Sequence, residues 1–193
     1  MQKVSTCFKK TPLHCITRAA LVGLLFAGFS GCATLSEGEC KTADWQEIGR
    51  KDGSKGYTRA RLHKHYEACA EYKVEPQADR YYAGRDAGLK QYCTPRKGFD
   101  EGREGNRYRG VCPPDLERGF LAEFSKGEMI HEIDTNIETV ERDISRKEQL
   151  LSDDDTSSKE RLEINRELRE LYDKLRELNR DLFRLERLYL LDL

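Results

Sequence analysis

The sequence has 193 residues, with 34 basic and 35 acidic side chains and a formal net charge of −1. This balance excludes a strongly basic protein, so we expect no nucleic-acid partner. The charges are unevenly distributed, since residues 33–127 are slightly basic and residues 128–193 are acidic, which indicates two different modules.

The first 31 residues have the layout of a signal peptide. Basic residues without any acid precede the apolar run Ala19–Phe29. That run is shorter than the roughly 20 residues that a membrane-spanning helix needs, so a retained transmembrane anchor is not expected. The run ends in Phe29-Ser30-Gly31-Cys32, which resembles the lipobox of bacterial lipoproteins.

The resemblance to bacterial lipoproteins implies cleavage before Cys32 and attachment of lipid to its sulfur atom. The membrane would then be a partner through the N-terminal lipid, because several acyl chains anchor a protein stably. Ala33 stands where an inner-membrane retention signal would place Asp, so the rule for lipoproteins implies the periplasmic face of the outer membrane. An ordinary secretory peptide cut near Ala33, or a buried Cys32, is the alternative.

Cysteine usage predicts two disulfides in the mature chain. Cys7 and Cys15 leave with the signal peptide, and lipid would occupy Cys32. The remaining four are Cys40, Cys69, Cys93 and Cys112. An even number of cysteines in an oxidising compartment indicates disulfides, for which three pairings are possible.

Predicted helices favour one of these pairings. If residues 43–55 and 58–72 form an antiparallel helical hairpin, Cys40 at its start lies near Cys69 at its end. Cys93 closes the predicted helix 77–92, and Cys112 precedes the following helix. We therefore predict the pairs Cys40–Cys69 and Cys93–Cys112.

Three segments share an aromatic residue followed by Gly-Arg, an acid and a second glycine. They are Trp45–Gly53, Tyr81–Gly88 and Phe99–Gly105. In the first two segments the glycines are four residues apart, which places them on one face of a helix, where another backbone can approach closely. Glycines with positive φ in turns are the alternative.

The same segments supply the one repeated charged element, which consists of Arg50, Arg85 and Arg103. These arginines are candidates for binding an anionic glycan or lipid head group. The simpler interpretation is that each pairs with a neighbouring acid at the surface.

Several motifs of this region together resemble a known family. They are Asp44-Trp45, Gly49-x-x-Asp52-Gly53, Ala83-Gly84-Arg85-x-x-Gly88 and Gly110-Val111-Cys112. Residues of about 38–127 are similar to the domain of unknown function 2799 family, which consists of proteobacterial envelope lipoproteins. The resemblance implies a location in the cell envelope and a fold, and it implies no activity.

The C-terminal part predicts a long helical hairpin. Pro113-Pro114-Asp115 indicates a helix start, and apolar residues then recur at the 3,4 spacing of a coiled coil as far as Leu151. Cap and turn residues at 152–158 separate this helix from a second 3,4 stripe, Ile164–Leu185. An antiparallel hairpin of about 55 Å fits these lengths, and a parallel homodimer through the second helix is the alternative.

No catalytic motif is present in the sequence, so we predict that the protein is not an enzyme. His63, His65 and Cys69 invite a metal site, because His65 and Cys69 share a helical face. A disulfide would consume Cys69, so we expect neither a metal ion nor a cofactor. The other mature cysteines have structural uses as well, which leaves no nucleophilic thiol.

We therefore predict an all-α protein in which a small disulfide-stapled helical domain is followed by a long antiparallel helical hairpin. The predicted divisions are a signal peptide (1–31), a lipidated tether (32–39), the helical domain (40–127) and the hairpin (128–193). The predicted function is that of a non-enzymatic scaffold whose hairpin binds a protein partner. A binding module for an anionic envelope ligand is the alternative.

Overall fold

The computed structural model describes residues 34–191, and of residues 190 and 191 it describes the backbone alone. The predicted signal peptide 1–31 and the predicted lipidation site Cys32 lie outside the described residues. Within them the fold is all-α, as predicted, with seven helices and no strand. The helices are α1 (Glu37–Lys41), α2 (Trp45–Ser54), α3 (Arg61–Ala70), α4 (Ala78–Tyr92), α5 (Pro95–Arg103), α6 (Pro114–Ser152) and α7 (Ser158–Leu191).

Side chains just before the helices fix several of these starts. Ser36 forms a capping box with Glu39 at the start of α1. The Asp44 carboxylate accepts hydrogen bonds from the first backbone amides of α2, and the Thr94 hydroxyl does the same for α5, where Pro95 occupies the first turn. These contacts satisfy amides that have no partner inside a helix.

α2 and α4 cross with their backbones in direct contact, through two glycines on each helix. A Cβ atom placed on Gly49 would lie 2.0 Å from the Tyr81 carbonyl oxygen, and one placed on Gly84 would lie 1.8 Å from the Gln46 carbonyl oxygen. Gly53 and Gly88 make the equivalent contacts one turn further along both helices, so the helices run in the same direction. The predicted close backbone approach is therefore confirmed.

α5 and α6 repeat this crossing. Cβ atoms on Gly98 and Gly102 would lie 2.2 Å and 2.1 Å from the carbonyl oxygens of Phe120 and Phe124. Gly127 of α6 in turn faces the Phe99 carbonyl oxygen at 2.2 Å. The residue numbers again rise together, so this second pair is also parallel.

The two crossings correct the alignment of the third glycine segment, Phe99–Gly105, with the other two. Gly98 and Gly102, not Gly102 and Gly105, are equivalent to Gly49 and Gly53. Gly105 instead has a φ of 71° just after α5 ends. It therefore takes the turn conformation that glycine adopts without steric cost.

Two disulfides lie in two neighbouring cores, and the predicted pairs are confirmed. Cys40 and Cys69 have Cα atoms 5.6 Å apart in a core that includes Trp45 and Tyr81. Cys93 and Cys112, also 5.6 Å apart, lie in a second core with stacked aromatic rings. The rings of this core are Tyr92, Tyr108, Phe120 and Phe124.

α6 and α7 form the predicted antiparallel hairpin. Lys147 pairs with Glu167 near the turn, whereas Glu123 and Tyr189 meet at the opposite end. Apolar residues at the predicted 3,4 spacing face each other between the helices. Those buried most completely are Val140, Ile144, Ile164 and Leu168.

Arg161 makes three hydrogen bonds to the turn between α6 and α7. Arg161 donates hydrogen bonds to the carbonyl oxygens of Leu151, Asp153 and Thr156. It thus serves a carbonyl group of the last turn of α6 that has no partner within the helix. Ser157 and Glu160 bond each other's backbone amides at the start of α7, in the manner of a capping box.

Two predicted divisions differ from the structure. The division between 127 and 128 falls inside α6, because Gly127 packs on α5 while Val140 of the same helix packs on α7. The predicted tether 32–39 is folded from Thr34 onward, since Leu35 lies in the first core and α1 begins at Glu37. In both places long-range packing continues beyond the predicted border.

Across the residues that the structure describes, no helix has both the length and the apolar character needed to cross a membrane.

Candidate functional site: a buried polar cluster and an exposed hairpin

Asp52, His65 and Tyr81 meet inside the first core, which is formed by α2, α3 and α4. We call these three residues the His–Asp–Tyr cluster. His65 Nε2 and the Tyr81 hydroxyl lie 2.7 Å and 2.8 Å from the same carboxylate oxygen, Asp52 Oδ2. All three residues are buried, so each polar group must find its partner within the protein.

The environment keeps Asp52 ionised. Burial by itself raises the pKa of its carboxyl group, but hydrogen bonds from His65 and Tyr81 and the charge of Arg61 outweigh burial and lower that pKa. For Tyr81, burial and the neighbouring carboxylate raise the pKa of the hydroxyl, which stays protonated. Because the ionised Asp52 can only accept, we assign the proton that lies between it and His65 to Nε2.

Thr34 extends the cluster to the start of the described chain. Its hydroxyl oxygen lies 2.7 Å from His65 Nδ1 and 3.1 Å from the carbonyl oxygen of Lys64. Leu35 beside it is 8% exposed. Thr34, the first residue that the structure describes, is therefore bonded to α3.

The residues that invited a metal site do not converge on one. Cys69 is held in its disulfide, and His63 lies at the surface, 3.3 Å from Glu67. His65 uses both ring nitrogens within the cluster. Among the described residues, no group of three or more His, Cys, Asp or Glu side chains is arranged to hold a metal ion.

The three arginines proposed from sequence as anion ligands have different partners. Arg50 forms two hydrogen bonds with the Glu47 carboxylate, both 2.7 Å long. Arg85 is buried and donates to the Tyr57 carbonyl oxygen, while Arg103 pairs with Glu186 of α7 at 2.8 Å. An anion would have to displace a protein partner at each arginine.

α7 carries a second row of side chains beside the apolar row that packs on α6, and one member of it, Tyr172, also donates to Glu148 of α6. The row recurs at 3,4 spacing, and all of its members are exposed. They are Leu162, Asn165, Arg169, Tyr172, Arg176, Asn179 and Phe183. We call this row the arginine stripe. It contains no acidic residue, and Leu162 and Phe183 expose 74% and 66% of their surface.

The last turns of α7 pack against α5 and α6. The Tyr189 ring centre lies 4.1 Å from that of Phe99, and its hydroxyl donates to Glu123. The Arg103–Glu186 ion pair joins α5 to α7 about one turn earlier along α7. The last turns of α7 are therefore attached to the helical domain through Tyr189.

The sequence was also compared with known proteins. The family model described as "Protein of unknown function (DUF2799)" matches residues 44–129. This match supports the resemblance of these residues to the family. No curated protein and no solved structure matches the chain.

The DUF2799 region begins at the N-cap of α2 and contains both parallel glycine crossings. The resemblance predicted from the glycine and cysteine motifs is thereby confirmed. Most of the hairpin, from Ile130 onward, lies beyond the matched residues. The arginine stripe is thus outside the DUF2799 region.

Sequence reasoning missed the His–Asp–Tyr cluster of the DUF2799 region. From the sequence, His65 was considered only as a metal ligand, and Tyr81 only as the aromatic residue that begins the segment Tyr81–Gly88. A usable signal was present, because His65 lies three residues after Leu62 and four before Cys69, which are both buried. A histidine on such a stripe needs a polar partner in the core.

Proposed function

We propose that the protein is a lipid-anchored envelope lipoprotein without enzymatic activity, whose helical hairpin binds a partner protein. The lipid would be attached to Cys32, on the periplasmic face of the outer membrane. The arginine stripe of α7 would supply the binding surface. The observation that carries this proposal is the second 3,4 row of exposed side chains on a helix whose first row already packs on α6.

The composition of the stripe supports binding rather than simple solvation. Tyrosine and arginine are enriched among residues that dominate the energies of protein interfaces. Leu162 and Phe183 are large apolar side chains that are mostly exposed. Between them lie two arginines, Arg169 and Arg176, on either side of Tyr172, so the stripe is apolar at both ends and cationic near its middle.

The spacing and charge of the stripe favour one kind of partner. A row at 3,4 spacing matches a second helix that packs along α7. Arg176 is paired with Asp173, whereas Arg169 has no ion pair among the described residues, so the partner helix should present an acidic side chain opposite Arg169 beside an apolar seam. We therefore propose an envelope protein that offers an amphipathic helix with acidic flanks.

The anchor is tested in cells by labelling with palmitate. We expect the wild-type chain to incorporate the label and to fractionate with the outer membrane. The Cys32→Ser variant should remain unlabelled and should not be processed at residue 31. Equal labelling of both proteins would overturn the assignment of the lipid to Cys32.

The binding surface is tested by photocrosslinking in living cells. A photoreactive residue is placed at Leu162, Arg169 or Phe183 on the stripe. Matched controls carry it at Glu163, Glu170 or Arg184, which are also exposed on α7 but lie about 100° around the helix from Leu162, Arg169 and Phe183. We expect one discrete adduct from the stripe positions and none from the controls.

Each other outcome contradicts part of the proposal. An adduct of twice the mass of the chain would replace the partner protein by a second copy, as in the homodimer alternative. Equal adducts from stripe and control positions would show that the stripe is not a specific surface. Absence of adducts from a correctly lipidated and abundant protein would overturn the hairpin as the binding element.

A further inference from the structure

The folded body begins directly after the proposed lipid attachment site. Only Ala33 separates Cys32 from Thr34, which is bonded to His65 and lies next to the Lys64 carbonyl group. Leu35 is buried beside Trp45 and Cys69. There is no length of chain here that could act as a flexible tether.

The covalent distance sets a limit on how far the body can lie from the membrane. Two peptide units span at most about 7.6 Å, since consecutive Cα atoms are 3.8 Å apart. The head-group layer on one side of a bilayer is of the order of 5–8 Å thick. If the lipid on Cys32 is inserted, Thr34 therefore lies at the height of the phospholipid head groups or just outside them.

We infer that the surface of α1 and α3 around Thr34 lies on phospholipid head groups and forms a second membrane contact beside the lipid itself. This inference rests on the proposed anchor at Cys32. Phospholipid is the proposed contact because only one residue, Ala33, separates Thr34 from the proposed lipid attachment site. Lys64, whose carbonyl group lies next to Thr34, is exposed, and so are Glu37 and Glu39 of α1, so the contact is proposed for phospholipid head groups without preference for anionic lipid.

The His–Asp–Tyr cluster fixes the orientation of the proposed membrane contact. Thr34 is bonded to His65, which is bonded to Asp52 of α2, which in turn accepts from Tyr81 of α4. Leu35 adds apolar burial against the same helices. The chain that leaves the membrane is thus joined to three helices, which limits rotation of the body about its anchor.

The test measures how close α3 lies to lipid in the full-length lipidated protein. The protein is reconstituted into vesicles of phosphatidylethanolamine and phosphatidylglycerol that contain a head-group-labelled quencher. A fluorescent amino acid replaces Lys64. The matched variant carries the same probe and a ten-residue Gly-Ser insertion between Ala33 and Thr34, whose root-mean-square span is roughly 17 Å.

We expect quenching at position 64 to be severalfold stronger in the native-length protein than in the variant with the insertion. Thr34→Val, which keeps the shape but loses the hydroxyl group, should give an intermediate value with an unchanged circular dichroism spectrum. Weak quenching in both lengths, with the lipid on Cys32 verified by mass spectrometry, would overturn the inference and leave the anchor standing. Strong quenching in both would overturn the role of the short connection. Absence of the lipid would instead overturn the proposed anchor.

Discussion

His65 Nε2 lies 2.7 Å from Asp52 Oδ2 in the interior of the first core, and the imidazole side chain is only 2% exposed. This contact joins α2 to α3, two helices that are consecutive in the chain. The Tyr81 hydroxyl of α4 donates to the same carboxylate oxygen and so joins a third helix to them. Removing one member of such a buried set leaves the others without partners, which costs more than the bond itself contributes.

Asp52→Asn should therefore destabilise the fold. We expect a loss of roughly 3 kcal/mol in the free energy of unfolding, because a buried charge-assisted pair is broken from one side. Tyr81→Phe removes one donor and leaves His65 bonded, so about 1 kcal/mol is expected. Urea unfolding followed by circular dichroism measures both. Asp79→Asn, at an exposed position on α4, is the control, and an equal loss there would contradict this role of the cluster.

The stability contributed by Asp52 should depend on pH in acid. Burial raises the pKa of its carboxyl group, but the hydrogen bonds from His65 and Tyr81 prevail, so the folded-state pKa is lowered. A lowered folded-state pKa gives stability that is present above the unfolded value of about 3.9 and is lost as the pH falls through the folded value. The stability difference between wild type and Asp52→Asn should shrink as the pH falls below about 4. A constant difference would show that Asp52 does not titrate in this way.

Gly84→Ala should disrupt the crossing of α2 and α4. The new methyl group would lie 1.8 Å from the Gln46 carbonyl oxygen, and a backbone atom cannot turn away as a side chain could. We expect a loss of about 3 kcal/mol or more in thermal or urea unfolding, at the upper end for overpacking. Gly38→Ala in α1 is the matched control, because nothing lies within 4 Å of its Cβ position. Its stability should be unchanged or slightly raised.

Each disulfide should stabilise the domain independently. The bridges close loops with sequence separations of 29 and 19 residues, so the loss of either should cost about 3 kcal/mol if unfolded-chain entropy dominates. The double variants Cys40→Ala/Cys69→Ala and Cys93→Ala/Cys112→Ala are compared by urea unfolding. Peptide mapping without reduction checks the remaining bridge in each. Stability that is unaffected in either variant would contradict the entropic contribution of that bridge.

Tyr189 should hold the end of α7 on the helical domain. Its ring packs on Phe99 and its hydroxyl bonds to Glu123, so Tyr189→Ala removes an aromatic pair worth about 1 kcal/mol beyond its buried area. We expect faster amide hydrogen exchange in the last turns of α7, with exchange near Ile164 unchanged. Leu188→Ala is the control, since Leu188 is 55% exposed. Exchange that speeds up equally in both variants would rule out a specific role for Tyr189.

Features that depend on neighbouring residues were predictable from the sequence. The 3,4 rows that end at Leu151 and begin at Ile164 predicted the hairpin, because the helical period places those positions on one side whatever surrounds them. Gly49 and Gly53, at a spacing of four, predicted a close helix contact for the same reason. The cysteine pairs followed from where predicted helices begin and end.

Features that depend on which helices meet were decided only by the tertiary structure. Spacing alone could not show that Gly49 faces Tyr81 of α4, nor that Gly98 rather than Gly102 is its equivalent. The partnership of Asp52 and His65 likewise depends on where the folded chain places α3 relative to α2. Local sequence fixes the face that each helix must bury, whereas the register between helices is set by backbone contacts over long separations, and those contacts also attach Thr34 to α3.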